Sequence, residues 1–313
     1  MSRIIATGAY LPEQIYTNDE LIEKFQLDSS DEWIVQRTGI KQRHVGAPEE
    51  EVSDIAYKAV VDAIKKINGE IIDQINLVVV ATMSSGGPTP SIANQVIERL
   101  EANNAWGFDV SSACSGFVAA LEVAEKVSAH YTSGYTLVIG AEKMSQILDF
   151  TDRSTCVLFG DGGGAVVIKN DGSELLDYQS DIHSKPDPKR SIQVAPKELK
   201  PTMTMTGRDV FNFVNRTVIK SLIEFTRDIP EYDYLVFHQA NSRLIDIIAK
   251  KMKVSVEEIP TNIQKVANLS AGSIPVLLNQ LVEDGDIRLD GTQSVVLCGF
   301  GGGLTWGQSY FKL

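Results

Sequence analysis

The chain has 313 residues and carries 29 lysines and arginines against 41 aspartates and glutamates, a formal net charge of −12. That excess repels phosphate backbones and anionic membrane surfaces, so neither nucleic acid nor membrane is an expected partner. Cys114, Cys156 and Cys298 are an odd number without repeated close spacing, which excludes a disulfide framework and a zinc knuckle, and no secretory h-region or membrane-length apolar run is present, so a cytoplasmic protein is expected.

The length exceeds a usual single core, so two domains or two tightly packed halves are expected. In chain order, the helical pattern "SDIAYKAVVDAIKKI" precedes the buried-strand run "NLVVVAT", and the helix "SIANQVIERLEA" follows. A small-residue turn, "SSACSG", then opens the apolar helix "SGFVAALEVAEKVSAH", and "YTLVIGA" and "GAVVIKN" read as strands. The stretch "DIHSKPDPKRSIQVAPKELKPTMTMTG", punctuated by four prolines, reads as an irregular lid or binding loop. Strand "YLVFHQ", helix "SRLIDIIAKKM" and strand "SVVLCGF" complete the series, and alternation of this kind implies an α/β fold.

A weak repeat runs through this order. "NLVVVAT" with "SIANQVIERL" matches "YLVFHQA" with "SRLIDIIAKK", and about thirty residues after each strand comes a small-residue turn opening a helix, "SSACSG" or "VANLSAGS". If the halves pack about a pseudo-twofold, Cys114 and Asn268 hold matching positions facing each other, and His238, at a strand's C-terminal end, joins them.

Taken alone, Cys114 reads as a buried spacer, because free cysteine is among the most buried residue types. A tight strand-to-helix turn instead leaves sulfur near free helix N–H groups, which lower a thiol pKa from about 8.5 into a reactive range. His238 as a satisfied strand-end histidine and Asn268 as a helix cap are likewise sufficient singly. Together the three favour a nucleophile, a proton manager and a fixed amide donor, a set suited to thioester chemistry. "FGDGGGA" lacks the Lys-Ser/Thr of a phosphate loop and reads as a tight turn. "CGFGGGLTWG" is either a glycine turn between the last two strands or a source of bare N–H groups for an oxyanion hole. His44, His130 and His183 are scattered and no HExxH is present, so metal is not expected.

"SSACSGF", "FHQAN", "NLSAGSIP", "TDRSTCVLFGDGGGA", "DEWIVQRTGI" and "CGFGGGLTWG", spread over nearly the full chain, closely resemble β-ketoacyl-acyl-carrier-protein synthase III of the thiolase superfamily. The resemblance implies a thiolase-like five-layered αβαβα fold of two duplicated halves, residues 1–170 with the cysteine and 171–313 with the histidine and asparagine, assembled as a homodimer. It implies an acyltransferase that loads an acyl-CoA primer on Cys114 and condenses it with malonyl-acyl-carrier protein, with loss of carbon dioxide and no cofactor beyond its substrates. In that carry-over His238 and Asn268 hold the malonyl thioester carbonyl, and backbone N–H groups of Cys114 and Gly302 form the oxyanion hole. Trp33 and Arg153 sandwich the adenine of CoA, and Ser29, Arg37, Gly207, Asn241 and Arg243 line its channel. The plain alternatives are core packing for Trp33 and solvated surface for the arginines. Thr89, Met144, Leu158, Phe159, Met205 and Phe300 are the implied acyl pocket.

An acidic carrier protein needs a local basic patch on this acidic chain, expected at Arg243, Lys250 and Lys251 and extended by Arg37, Lys41 and Arg43. Four positions depart from the family pattern. Ala267 and Leu269 flank Asn268 where glycine and threonine are common, Asn212 replaces a basic residue, and Thr89 stands where short-primer members carry a phenylalanine reaching the partner's pocket. A smaller Thr89 implies a longer or branched primer. The alternatives kept are a ketosynthase or acyltransferase of a secondary-metabolite pathway and a non-catalytic acyl-CoA-binding protein.

Overall fold

The computed structural model describes residues 1–196, 200–229, 231–255 and 258–313. In chain order the elements are β1 (Arg3–Tyr10), β2 (Gln14–Thr17), α1 (Asn18–Phe25), α2 (Asp31–Thr38), β3 (Gln42–Val45), α3 (Val52–Lys65), β4 (Ile75–Ala81), α4 (Ile92–Leu100), β5 (Trp106–Val110), α5 (Gly116–Ser128), β6 (Tyr135–Lys143) and β7 (Asp161–Lys169). They continue as β8 (Gln179–Ser184), β9 (Ile192–Pro196), β10 (Pro201–Met205), α6 (Gly207–Phe213), α7 (Ile219–Thr226), β11 (Tyr234–Phe237), α8 (Ser242–Met252), α9 (Ile263–Val266), α10 (Ser273–Glu283), β12 (Ser294–Gly301) and β13 (Thr305–Lys312).

Among the described residues the strands build two main sheets, β1-β7-β6-β4-β5 and β11-β12-β13-β8. In the first, β4 runs parallel to β6, and β7 runs antiparallel to both β6 and β1. The second repeats the scheme, with β11 parallel to β12 and β13 antiparallel to both β12 and β8. The repeat read in the sequence is thus a repeat of pairing. It is incomplete at one place, because α9 stands in the chain where the first half has β5.

Packing makes five layers. Leu77, Val79, Val138 and Val166 of one sheet and Val236, Val295, Leu297 and Phe311 of the other meet on opposite sides of Phe117, Leu121, Ile274 and Leu278 from α5 and α10. Both central helices are apolar nearly all round because a sheet covers each side. α3 and α4 cover the outer face of the first sheet, and α6, α7 and α8 cover that of the second. The run "VVV" in β4 is buried on both faces for the same reason.

Two expectations need correction. Gly162, Gly163 and Gly164 of "FGDGGGA" are strand residues of β7, and the missing side chain of Gly164 admits α10: a Cβ there would lie 2.6 Å from the Pro275 carbonyl carbon, and one on Gly140 of β6 would lie 2.2 Å from the oxygen of Ala271, just before α10. The proline-punctuated stretch is largely strand: its start, in β8, forms the edge of the second sheet, and β9 and β10 pair antiparallel as a hairpin. Residues 197–199 of that stretch lie outside the described residues.

One buried charge in the central layer costs stability. Glu125 of α5 is buried, accepts the Leu175 N–H at 2.8 Å through Oε2, and has no partner for Oε1 among the described residues. Burial pushes its carboxyl up from 4.5 to about 7. Between those values the unfolded chain has released this proton and the folded chain still binds it, so stability falls as pH rises through that window and is level above it. Glu125→Gln is therefore expected to stabilise the protein at pH 8 by on the order of 2 kcal/mol and much less at pH 4. Urea unfolding at the two pH values checks this, and equal gains at both would refute it.

Candidate active site

Three chain reversals converge between the sheets. After β5, a 3-10 turn over Ala113–Ser115 carries Cys114 into α5, and Ala113 holds a left-handed φ of 46°. Ser115 Oγ lies 2.8 Å from Thr305 Oγ1, which in turn donates to the Gly302 carbonyl at 2.9 Å, so the cysteine turn is tied to the hairpin joining β12 and β13. Cys114 is 7% exposed. Burial pushes its thiol up to about 12, a further push comes from the Glu142 charge, and the Ser270 hydroxyl opposes both. The lowered thiol pKa expected from a helix start is thus overturned: the resting group is a thiol, because loss of water outweighs the turn.

His238 follows β11, its backbone N–H donating to the Cys298 carbonyl at 2.9 Å. Its ring is buried, with Nδ1 2.6 Å from Ser273 Oγ and the edge-on ring of Phe300 centred 5.3 Å away. Burial lowers its pKa to about 3, so the imidazole is neutral at physiological pH. Asn268 is anchored by its main chain, which accepts from Gly160 N–H at 3.1 Å and donates to the Leu158 carbonyl at 3.0 Å. Its Oδ1 accepts the Ser270 N–H at 2.8 Å, which leaves the amide NH2 available to a ligand. The unusual neighbours Ala267 and Leu269 are fully buried in small apolar clusters of their own; Ala267 also holds a φ of 62° that favours the glycine common there, so this change strains the backbone beside Asn268 while the asparagine keeps the cavity.

All three side chains line one cavity of about 390 Å³. Trp33, Arg37, Arg153, Gly207, Asn241 and Arg243 line it as well, as do Leu158, Phe159, Met205 and Phe300. The buried triad marks its inner end and the exposed arginines its mouth. Local capping explains the mouth. Ser30 accepts the Trp33 N–H at 3.1 Å to start α2, and Gly39 ends it in a left-handed turn where a Cβ would strike Ser242 at the start of α8. Asn241 then donates to the Arg37 carbonyl at 2.8 Å. The Arg37 and Arg153 guanidinium carbons lie 5.4 Å and 5.3 Å from the Trp33 ring centre, within cation–π range, and Arg153 also donates to the Asp28 carbonyl.

Other expected residues stand apart from this cavity. Ser29 does not line it, and its Oγ is buried without a partner among the described residues. Met144 is fully buried behind the wall against Phe159 and Met203. Thr89 is exposed on the loop between β4 and α4, away from its own chain's cavity. Gly302 sits in the hairpin turn beside Ile192 and Ala113, and the lining glycine is Gly301. Lys250 and Lys251 are exposed on α8 with Arg243, Lys251 donating to the Asn215 carbonyl at 2.8 Å. Arg43 cannot extend a basic patch: it is 1% exposed and donates to Asn18 Oδ1 at 2.7 Å and to the carbonyls of Tyr16 and Val157 at 3.2 Å and 3.1 Å.

Arg208 and Phe211 line the cavity and had no place in the sequence reading. Arg208 directly follows Gly207 at the start of α6, so a cation one residue from an expected channel position was the available signal.

Family models described as 3-oxoacyl-[acyl-carrier-protein (ACP)] synthase III and its C-terminal part match residues 108–185 and 227–313. The chain is 42% identical to the β-ketoacyl-[acyl-carrier-protein] synthase III of Streptococcus gordonii, over 98% of this chain and 97% of that protein. Identity to the protein of the same name from Enterococcus faecalis is also 42%, covering 100% and 99%. The crystal structure of 3-oxoacyl-[acyl-carrier-protein] synthase III from Aquifex aeolicus matches with a TM-score of 0.89 and 35% identity over 100% of both chains.

Proposed function

The chain belongs to the 3-oxoacyl-[acyl-carrier-protein] synthase III family and is an acyl-transferring condensing enzyme that initiates fatty acid synthesis, and on that premise we propose that Cys114, His238 and Asn268 carry its chemistry. The observation that carries the proposal is the meeting of the three side chains in one cavity whose mouth is lined by arginines.

In the first half-reaction the sulfur of Cys114 attacks an acyl-CoA thioester and CoA leaves. The oxyanion is held by the backbone N–H groups of Cys114 and Gly302, a reading supported by the bare Gly301 backbone packed against Cys114. In the second, malonyl-carrier protein enters and its thioester carbonyl accepts from the Asn268 amide and from His238 Nε2. That tautomer requires Ser273 Oγ to turn its one hydrogen from the Ser270 carbonyl, 2.9 Å away, to Nδ1 at 2.6 Å, and the carbonyl keeps the Ser273 backbone N–H. Loss of carbon dioxide generates the carbanion that attacks the acyl-Cys114 carbonyl. Storing the acyl group on sulfur divides one hard condensation into two easier steps, and decarboxylation supplies the carbanion without a metal or redox cofactor.

Trp33 and Arg153 are assigned to the CoA adenine and Arg37, Gly207, Asn241 and Arg243 to the rest of its channel. Leu158, Phe159, Met205 and Phe300 form the near wall of the acyl pocket, with Met144 as its backing. The carrier protein is assigned to Arg243, Lys250 and Lys251. A homodimer is supported by the open edge of β5, where Trp106 is 50% exposed, and Thr89 is assigned to the partner's pocket. The division of the chain at 1–170 and 171–313 agrees with the repeated pairing. Three buried free cysteines suit the cytoplasm, and among the described residues no helix is long and apolar enough to cross a membrane.

Intact-protein mass after incubation with a panel of acyl-CoAs tests the centre of the proposal. A mass gain equal to the acyl group is expected with particular primers and is expected to vanish in Cys114→Ala. The primers that react name the substrate class, and a gain that survives the substitution refutes the assignment.

A further inference from the structure

A groove on the surface beside the cavity mouth has no part in the chemistry above. Two helical runs leave the mouth next to each other. One starts at Gly207 and continues from α6 through a π turn over Val214–Val218 into α7, and the other is α8, whose first turn carries Arg243. Lys251 of α8 ties them together, donating to the Asn215 carbonyl at 2.8 Å. Around that bond lies the groove, lined by Arg216, Lys220, Ile223, Glu224 and Arg227 of the first run and Lys251 of the second. Arg216, Lys220, Ile223 and Arg227 succeed one another at intervals of four, three and four residues, so they form one stripe. Lys220 meets Glu224 at 3.7 Å, whereas Arg216 and Arg227 have no carboxylate partner among the described residues. Four cations thus stand with one carboxylate on a chain of net charge −12, and Ile223, 37% exposed, sits in the stripe between Lys220 and Arg227.

We propose that this groove is a second contact surface for malonyl-acyl-carrier protein, with Arg216, Lys220 and Arg227 meeting acidic side chains and Ile223 an apolar one. The inference deepens the proposed function and rests on the carrier protein delivering its malonyl thioester through the mouth. Reach supports it. Gly207 and Arg243 line the mouth, and Arg216 and Lys251 lie nine and eight residues further along their helices, about 13 Å and 12 Å. A standard protein interface takes about 800 Å² of each partner, a disc about 16 Å in radius. A folded partner centred on the mouth therefore covers the groove.

Charge and chemistry select this occupant. An extended polyanion such as a lipid surface would meet the whole acidic chain, whereas a small acidic protein feels mainly the charges within about 8–10 Å of its own. A small free anion would have no use for Ile223, but an apolar spot ringed by charge is the ordinary anatomy of a protein interface. The exposed Lys220–Glu224 pair is worth little, so Lys220 can exchange it for a partner's carboxylate. The groove also accounts for a departure noted in the sequence. Asn212 removes a cation from α6, and Arg216 restores one four residues further along the same helical run. The footprint on this chain is thereby shifted away from the mouth and onto α7.

Reversing two charges in one variant, Arg216→Glu with Lys220→Glu, tests the proposal. With acyl-CoA saturating, kcat/KM for malonyl-carrier protein is expected to fall at least about tenfold at low salt, through KM, and the loss is expected to shrink as salt is raised. Acylation of Cys114 by acyl-CoA, timed by mass, is expected to stay within about threefold of wild type, and it reports that the fold is intact. Adding Asn212→Lys to the double variant is expected to recover at least about threefold in kcat/KM, because it returns a cation nearer the mouth. Ile223→Ser is expected to cost about threefold to tenfold, a loss that salt does not relieve. Unchanged kcat/KM in the double variant, with Arg243→Glu lowering it, confines the carrier protein to the mouth and overturns the groove. A loss that salt leaves untouched, or that falls equally on acylation, overturns it too, since the substitutions then act on the fold. A wild-type enzyme that acylates Cys114 and makes no use of malonyl-carrier protein overturns the proposed function itself, an outcome distinct from both.

Discussion

Replacement of His238 by alanine is expected to leave Cys114 able to take up an acyl group, within about tenfold of the wild-type rate, while condensation and malonyl-carrier-protein decarboxylation fall by about 100- to 1,000-fold. The split follows from where the ring's hydrogens stand. Burial keeps the imidazole neutral, and with the Ser273 hydroxyl turned to Nδ1 the Nε2–H is one of two donors available to the malonyl carbonyl, the other being the Asn268 amide. Enolate charge grows on that oxygen only during decarboxylation, and a donor aimed there is worth most in the transition state. Acyl transfer develops its charge on an oxygen assigned to the Cys114 and Gly302 N–H groups and makes no such demand on His238. For the same reason wild-type condensation is expected to show no step near the ordinary histidine pKa of about 6.5. Mass spectrometry of the acyl-enzyme and carbon dioxide release from malonyl-carrier protein measure the two halves separately. Parallel loss of both would make His238 the acceptor of the thiol proton as well.

The contrast between what the sequence carried and what it hid has a physical basis. Strands such as "NLVVVAT" and helices such as "SIANQVIERL" declare themselves by periodicity, and the matched turns before α5 and α10 pointed to Cys114 and Asn268, which line one cavity. Properties set by distant partners were not legible. Arg43 reads as a surface cation until Asn18 and the Tyr16 and Val157 carbonyls close around it. The glycines of β7 read as a turn because a run of missing side chains looks the same whether the chain reverses or a helix presses against it, and only the Pro275 contact separates the two. The short strands β8, β9 and β10 lie in a polar, proline-rich stretch whose alternation is weak, so loop signals dominated. Burial of Cys114 is likewise a tertiary quantity. The motif reports a helix start, and the two sheets that enclose it set the thiol's pKa.

Gly301→Ala is expected to slow acylation of Cys114 by about 100-fold or more, with the loss coming from geometry instead of chemistry. An added Cβ would stand 2.8 Å from the Cys114 backbone N and 2.9 Å from the Cys114 Cβ. Gly301 is not among the glycines with positive φ, so the conflict is steric alone. Neither side yields easily. Gly301 ends β12 in register with Thr305 of β13, and Thr305 is bonded both to Ser115 and back to the Gly302 carbonyl. The cysteine turn already spends strain at Ala113, whose left-handed φ of 46° is costly for a residue with a Cβ. A displacement of the sulfur by about 1 Å is therefore the expected relaxation, enough to cost two orders of magnitude in an attack that depends on alignment. Overpacking of this kind also lowers stability by roughly 1–3 kcal/mol, so the melting temperature should fall as well. Gly302→Ala is the control: the nearest atoms to its Cβ would be in the Ile192 and Ala113 side chains, at 3.3 Å and 3.7 Å, and its backbone N–H survives, so acylation should stay within about tenfold of wild type. A Gly301→Ala enzyme that acylates at the wild-type rate would show that the hairpin does not set the position of the sulfur, and the oxyanion hole would then have to be sought away from the β12–β13 turn.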